Sequence, residues 1–398
     1  MDLGPTSALT RRRVLGSTMA ALAVGPLVPA TTAAATTAAA TTRGPRSGRA
    51  LSVRGADISF TLQLERAGVQ FSRDGRRAPL ERLLHGAGAN WVRLRIWNDP
   101  PAGYSTVTTA LRLARRAQRV GLKVLLDLHY SDFWADPSKQ SVPRAWQDQD
   151  LATLARTVRH WTRDTLRVFA QAGVRVDMVQ VGNEITAGML WPLGQIYVPG
   201  EPDDWTGFVT LLTAGIAGVR DVRRHGQRPR VMVHVDRGGD NAGARWFYDH
   251  VIERGVDFDV VGLSYYPIWH GSLDDLRINL TDLAERYRKD LVVVETAYPW
   301  TLDDGDDLEN LVTEVGQIPD AVQFPPTEQG QLAYFEALRQ VLLDVPDGRG
   351  TGFLAWEPEW VPGVGWTPGE GNPNDNMTMF DRQGRGLPSL RAFHRPRA

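Results

Sequence analysis

The chain has 398 residues, 42 % hydrophobic and 23 % charged, with a net charge of −1. That balance supports a sizeable globular core and gives no sign of a nucleic-acid or membrane-surface partner. Cysteine is absent, which excludes disulfides, thiol catalysis and thiolate metal sites.

The first recognisable element is a targeting segment. TRRRVLG (Thr10–Gly16) places adjacent arginines before an apolar stretch, Val14 to Val28, too short for an ordinary membrane span. Small residues with A-x-A options around Ala33–Ala35 follow. This is the pattern of a twin-arginine signal peptide, so residues 1–35 are read as a signal and the chain is expected to be secreted by that route. Residues 36–50 are read as a disordered Ala/Thr-rich lead-in, and 51–398 as one domain.

From residue 51 short β-branched runs recur. They are LSVRGADIS (51–59), WVRLRIW (91–97), KVLLDLH (123–129), MVQVGNE (178–184), RVMVHVD (230–236), VVGLSYYP (260–267), LVVVETAY (291–298) and GFLAWEPEW (352–360). Runs of this kind suit strands buried on both faces. Between them Phe208, Leu212, Ile216 and Val219 mark one helix face, and Val107, Leu111 and Ala114 another. Gly121, Gly173 and Gly255 fall where helix C-caps are expected. Eight strands alternating with helices predict an α/β fold, a single (β/α)8 TIM barrel. The rival is an open doubly wound sheet, and the lack of a Gly-rich phosphate loop after the first strand counts against it.

Barrel chemistry sits at the C-terminal ends of the strands. Those ends carry Asp57, Arg95 with Trp97, His129 with Tyr130, Asn183 with Glu184, His234 with Asp236, Tyr265 with Tyr266, Glu295, and Trp356 with Glu357. Polar residues at one end of every apolar strand are hard to explain as core. Glu184 and Glu295 end strands four and seven, which lie across the barrel mouth from each other. Two carboxyls about 5–5.5 Å apart form the geometry of a retaining glycosidase. Arg95 is expected to keep one of them ionised, Asn183 to donate to a sugar hydroxyl, and Tyr265 to orient the nucleophile. Thirteen Trp against nine Tyr suggest stacking faces for a flat ligand such as a sugar ring. A metal held by His129, His234 and Asp236 is the competing use of those side chains, and rim ion pairing is the structural use of either glutamate.

At these residues the sequence resembles glycoside hydrolase family 53, the endo-β-1,4-galactanases. The resemblance runs from Arg54 to His394 through WVRLRIWNDP, GLKVLLDLHYSDFWADPSKQSVPRAW, VQVGNEITAGMLWPLG, VDFDVVGLSYYPIWHG, VVETAYPW and AWEPEW. It implies a retaining mechanism with Glu184 as acid/base and Glu295 as nucleophile. It also implies Arg95, His129, Asn183, Tyr265 and Trp356 as supporting cleft residues. Trp97, Asp132, Trp134, Trp191, His234, Asp236, Trp269 and Trp300 lie on motifs that line the family's sugar subsites. DDGDDLEN (Asp303–Asn310) matches the family's calcium loop except that Leu308 replaces a His. The implied ligands are Asp304, Asp306 and Asn310, completed by Asn372 and Asp375, holding a structural Ca2+. No cofactor is expected for the chemistry itself. The expected partner is β-1,4-galactan from type I arabinogalactan, the enzyme acting as a monomer. The rivals are a related β-glycanase acting on mannan or glucan and a non-catalytic carbohydrate-binding protein.

Overall fold

The computed structural model describes residues 50–100, 103–222, 228–367 and 369–394. The twin-arginine segment and nearly all of the lead-in lie outside the described residues. Each apolar run forms a strand: β1 (Val53–Asp57), β2 (Trp91–Ile96), β3 (Lys123–Leu128), β4 (Met178–Val181), β5 (Arg230–Val235), β6 (Val260–Ser264), β7 (Asp290–Thr296) and β8 (Gly350–Ala355). All pairings among them are parallel, and β1 bonds both β2 and β8, so the sheet closes into a (β/α)8 TIM barrel. Closure excludes the open doubly wound sheet.

The helices between the strands are α1 (Thr61–Arg66), α2 (Leu80–Ala87), α3 (Val107–Arg119), α4 (Leu151–Gln171), α5 (Thr206–Asp221), α6 (Asn241–Glu253), α7 (Pro267–His270), α8 (Leu273–Tyr287) and α9 (Glu328–Asp344). Their ends follow local chemistry. Thr106 and Thr109 form a capping box on α3, Ser272 and Asp275 one on α8, and Asp150 accepts the Thr153 N–H at the start of α4. Gly121, Gly173 and Gly255 follow α3, α4 and α6 with φ of +92°, +70° and +74°, the left-handed C-cap conformation. Phe208, Leu212, Ile216 and Val219 bury the inner face of α5, whereas Val107 and Leu111 of α3 are only half-buried. After β8 the ring ends in a 3-10 segment, Pro388–Phe393, instead of an α-helix. Among the described residues no helix is long and apolar enough to cross a membrane.

The barrel interior is layered. Val53, Trp91, Leu125, Met178, Met232, Val260, Val292, Val294 and Leu354, from all eight strands, form one apolar plug. Side chains alternate along a strand, so positions two and four residues on from the plug also face inward. They include Arg93, Asp127, Gln180 and His234 two residues on and Asp57 and Arg95 four residues on, all buried polar groups. Gly262 leaves the space that Met232 and His234 fill, since a Cβ there would stand 2.6 Å from Met232 Sδ. Large side chains below thus support a charged layer directly under the mouth.

Candidate active site

Arg93 is the hub of that charged layer. Its guanidinium lies 2.8 Å from Asp57 Oδ2, 2.9 Å from Asp127 Oδ2 and 2.6 Å from Glu295 Oε1. It also donates to Gln180 Oε1 at 3.2 Å and Asn183 Oδ1 at 2.8 Å. The cation expected at Arg95 is therefore Arg93. Arg95 points the same way but stands two residues nearer the mouth, where it pairs with Glu357 at 2.9 Å. Its guanidinium lies over the Trp134 ring at 4.1 Å.

Glu295 reaches this layer through a β-bulge. Strict alternation from Val292 and Val294 would turn residue 295 outward. Ser264 of β6 pairs with Glu295 after Leu263 has paired with Val293, so β7 carries one extra residue, and the pairing with β8 shifts at the same place. The bulge re-aims the carboxylate into the barrel. Tyr266, not Tyr265, donates to Glu295 Oε2, at 3.2 Å. Parity explains the correction. Ser264 faces inward, so Tyr265 faces out, fully buried, with its hydroxyl on Gly271 O at 2.9 Å.

Glu184 is held differently. Its backbone adopts φ 47°, ψ 51°, the left-handed region that costs a non-glycine residue of order 1 kcal/mol or more. The tight 3-10 turn Ile185–Ala187 follows, and Gln140 Nε2 donates to Asn183 O at 2.8 Å, tying down the segment. Glu184 Oε1 accepts from Ser264 Oγ at 2.6 Å. Burial, then the charges of Glu295 and Asp236, push the Glu184 carboxyl well above the ordinary carboxylate range. Burial also raises Glu295, but Arg93 opposes that rise. The two acids thus have unlike surroundings, one without a paired cation among the described residues and one beside a guanidinium. Such a pair divides into a proton donor and an ionised group.

Both acids line a cavity of about 370 Å3 at the C-terminal mouth. Of the expected residues, Arg95, His129, Trp134, Asn183, Asp236, Trp269 and Trp356 line it with them. Trp269 is 59 % exposed and stands as an aromatic face at the rim. Asn183 uses its Nδ2 on Ala135 O at 2.9 Å as well as accepting from Arg93. His129 Nε2 lies 2.8 Å from Asp127 Oδ2, and its Nδ1 accepts from Trp97 Nε1 and Ala135 N, both at 3.3 Å.

Besides Tyr265, five expected cleft residues lie elsewhere. Trp97 is fully buried beneath Trp134, with ring centroids 5.0 Å apart. His234 is buried behind Glu184, bonded to Ser264. Asp132 clamps the backbone N–H groups of Asp99 and Arg144. The Trp191 and Trp300 indoles donate to Ala187 O and Thr378 Oγ1. His129, His234 and Asp236 bond to Asp127, Ser264 and Thr186 respectively, and form no metal-binding group among the described residues.

Sequence reasoning named Tyr266 at a strand end but gave its role to Tyr265, and it missed Arg93, Asp136, His270, Trp366 and Asn374; all six also line the cavity. Strand parity would have found Arg93 and Tyr266. Trp366 stacks on Trp134 at 4.3 Å and 11°. Asn374 is 1 % exposed with both amide atoms unpartnered among the described residues, a donor and an acceptor left for a ligand. Both sit on the long segment after β8, which carries no periodic signal.

That segment also meets the acidic loop after β7. Ligand oxygens of Asp304, Asp306 and Asp375 lie within 4.8 Å of one another. Asn310 donates to Asp375 Oδ1 at 2.9 Å, and its own buried Oδ1 has no partner among the described residues. Burial raises Asp375 above its ordinary value, and Asp304 and Asp306 add to that rise. Three crowded carboxylates and an orphaned amide oxygen fit a hard cation. Asn372 meets them through its backbone, whose N–H donates to Asp306 Oδ2 at 2.8 Å, while its side-chain amide donates to Trp360 O and accepts from Asn374 N.

Residues 53–393 match Glycosyl hydrolase family 53. The chain is 36 % identical over 354 residues to an arabinogalactan endo-beta-1,4-galactanase of Humicola insolens, covering 87 % of this chain and 100 % of that one. It is 44 % identical over 347 residues to an uncharacterized protein of Niallia circulans, covering 86 % of this chain and 93 % of the relative. Among solved structures, the GH53 catalytic domain of Ignisphaera aggregans superposes with a TM-score of 0.81 at 37 % identity, over 87 % of this chain and 96 % of that one. A fungal beta-1,4-galactanase structure gives 0.76 at 35 %, over 87 % and 100 %. The chain belongs to glycosyl hydrolase family 53, the glycoside hydrolases its two cleft carboxyls resemble.

Proposed function

We propose that this glycoside hydrolase is a secreted endo-β-1,4-galactanase that cleaves the galactan of type I arabinogalactan with retention of configuration. The observation that carries the mechanism is the contrast between Glu184 and Glu295 across one cleft. In the first half-reaction Glu295 Oε1 or Oε2 attacks the anomeric carbon while the bond to the leaving sugar oxygen breaks. Glu184 passes its proton to that oxygen. In the second half Glu184, now a carboxylate, takes a proton from water, the water oxygen bonds to the anomeric carbon, and Glu295 leaves. Arg93 and the Tyr266 hydroxyl hold Glu295 ionised and aimed. Trp134, Trp269, Trp356 and Trp366 offer apolar faces to sugar rings.

Secretion rests on the Arg11–Arg13 signal pattern and is tested by the N-terminus of the exported protein. Asp304, Asp306, Asp375 and Asn310 would hold a calcium ion whose role is to pin the loops after β7 and β8 beside the cleft. The deciding experiment measures reducing ends released from linear β-1,4-galactan, mannan and cellulose by wild type and Glu295→Gln. Release from galactan alone, lost in the variant and giving the β-anomer first by NMR, is the expected result. Release from mannan or cellulose instead would reassign the substrate, and the α-anomer would refute retention.

A further inference from the structure

We infer that Ser264 and His234 act as a directional hydrogen-bond pair that keeps the transferable proton of Glu184 on Oε2, facing the cleft. The inference rests on the reading of Glu184 as the acid/base and adds two positioning residues to it. His234 is fully buried, and its ring lies between two polar groups. On one side the backbone N–H of Glu184 points at Nδ1 at 3.4 Å, and on the other Nε2 lies 2.8 Å from Ser264 Oγ. An N–H can only be received by an unprotonated nitrogen, so the ring's single proton sits on Nε2. Burial and the nearby Arg93 guanidinium keep the ring neutral, with Asp127, His129 and His270 the other titratable groups around it. Nε2–H then donates to Ser264 Oγ, and the serine hydroxyl is left with one direction for its own proton, toward Glu184 Oε1 at 2.6 Å.

The consequence falls on Glu184. With Oε1 already accepting from Ser264, the proton of the neutral acid resides on Oε2, which accepts no hydrogen bond from the described residues. If the serine could turn round and accept, the proton could lie on Oε1 and be directed into the barrel wall, out of reach of a glycosidic oxygen. The histidine removes that option. When Oε2–H passes its proton to the leaving oxygen, the same serine O–H remains a donor to the new carboxylate, so no rearrangement accompanies transfer. Neither residue touches substrate in this account. Both act through Glu184.

The test compares kcat/KM on linear β-1,4-galactan with kcat/KM on a nitrophenyl β-1,4-galactobioside, whose phenolate leaves without protonation. Ser264→Ala is expected to lose about tenfold on galactan, part of the ~10²–10⁴ a positioned acid contributes, and far less on the nitrophenyl glycoside. Its basic pH limb should move up, because the lost bond favoured the Glu184 carboxylate. Glu295, Asp236 and Asp136, which also face Glu184, are left in place. Ser264→Thr, which restores the hydroxyl, should recover most of the galactan rate. Equal losses on both substrates, or no loss on galactan, would overturn the inference. The 15N shifts of His234 in the wild-type protein give a second reading that needs no variant. A neutral ring protonated at Nε2 is expected, and a ring protonated at Nδ1 or at both nitrogens would overturn it. A wild type inactive on both substrates would instead sink the galactanase reading.

Discussion

Replacing Tyr266 by Phe removes one hydroxyl and little else. The ring is buried, 6 % exposed, and its hydroxyl donates to Glu295 Oε2 at 3.2 Å. Burial and the charges of Glu295 and Glu184 push the phenol well above its usual range, so it remains a donor at every pH where the enzyme would be assayed. A hydrogen bond to a charged group contributes about 1.5–3 kcal/mol, so kcat/KM on galactan should fall roughly 10- to 150-fold. The pH profile gives a second reading. Tyr266 lowers the Glu295 carboxyl, so losing it raises that carboxyl, and the acidic limb of kcat/KM should move to higher pH. Arg93 still faces Glu295, so the variant should remain active. Tyr265→Phe is the control, because the Tyr265 hydroxyl bonds to Gly271 O outside the barrel. It should cost stability and leave the acidic limb in place. A Tyr266→Phe enzyme within twofold of wild type, or a Tyr265→Phe enzyme with the larger limb shift, would refute the assignment.

Three further outcomes are expected. Trp269→Ala removes an exposed aromatic face at the cleft rim. It should raise KM on galactan about 2- to 10-fold, from the ~0.5–1.5 kcal/mol typical of a ring contact, with Tm held. Glu359 is buried and raised to about 8. The folded protein keeps this proton after the unfolded chain has lost it, so the wild type loses stability as pH rises from about 4.5 to about 8 and no further above that. Glu359→Gln should therefore gain on wild type across that window in urea titrations, and a pH-independent difference would refute the account. Calcium added to chelator-treated protein should raise Tm, and Asp304→Asn should abolish the response. An unchanged wild-type Tm at millimolar calcium would leave the loop as a solvated acidic turn.

The sequence by itself determined the type and order of the elements. Eight β-branched runs became eight strands, and the glycines after α3, α4 and α6 took the left-handed caps, because both features are set by residues close in the chain. It also placed Glu184 and Glu295 at the tips of β4 and β7, and the structure brings both to one cavity. Direction around the barrel was decided only by the tertiary structure. Arg93 and Arg95 share a parity, yet only their depth in the closed barrel gives Glu295 to the first and Glu357 to the second. Glu295 itself depends on a bulge visible only in its pairing with β6 and β8. The tryptophans show the same division. Trp97 and Trp269 both lie on motifs read as lining sugar subsites, but one is buried and the other faces solvent. Trp366 and Asn374 enter the cleft on a loop with no period to read. Local pattern reports what a segment can form, whereas which side chains meet across the mouth depends on barrel closure and loop packing between residues far apart in the chain.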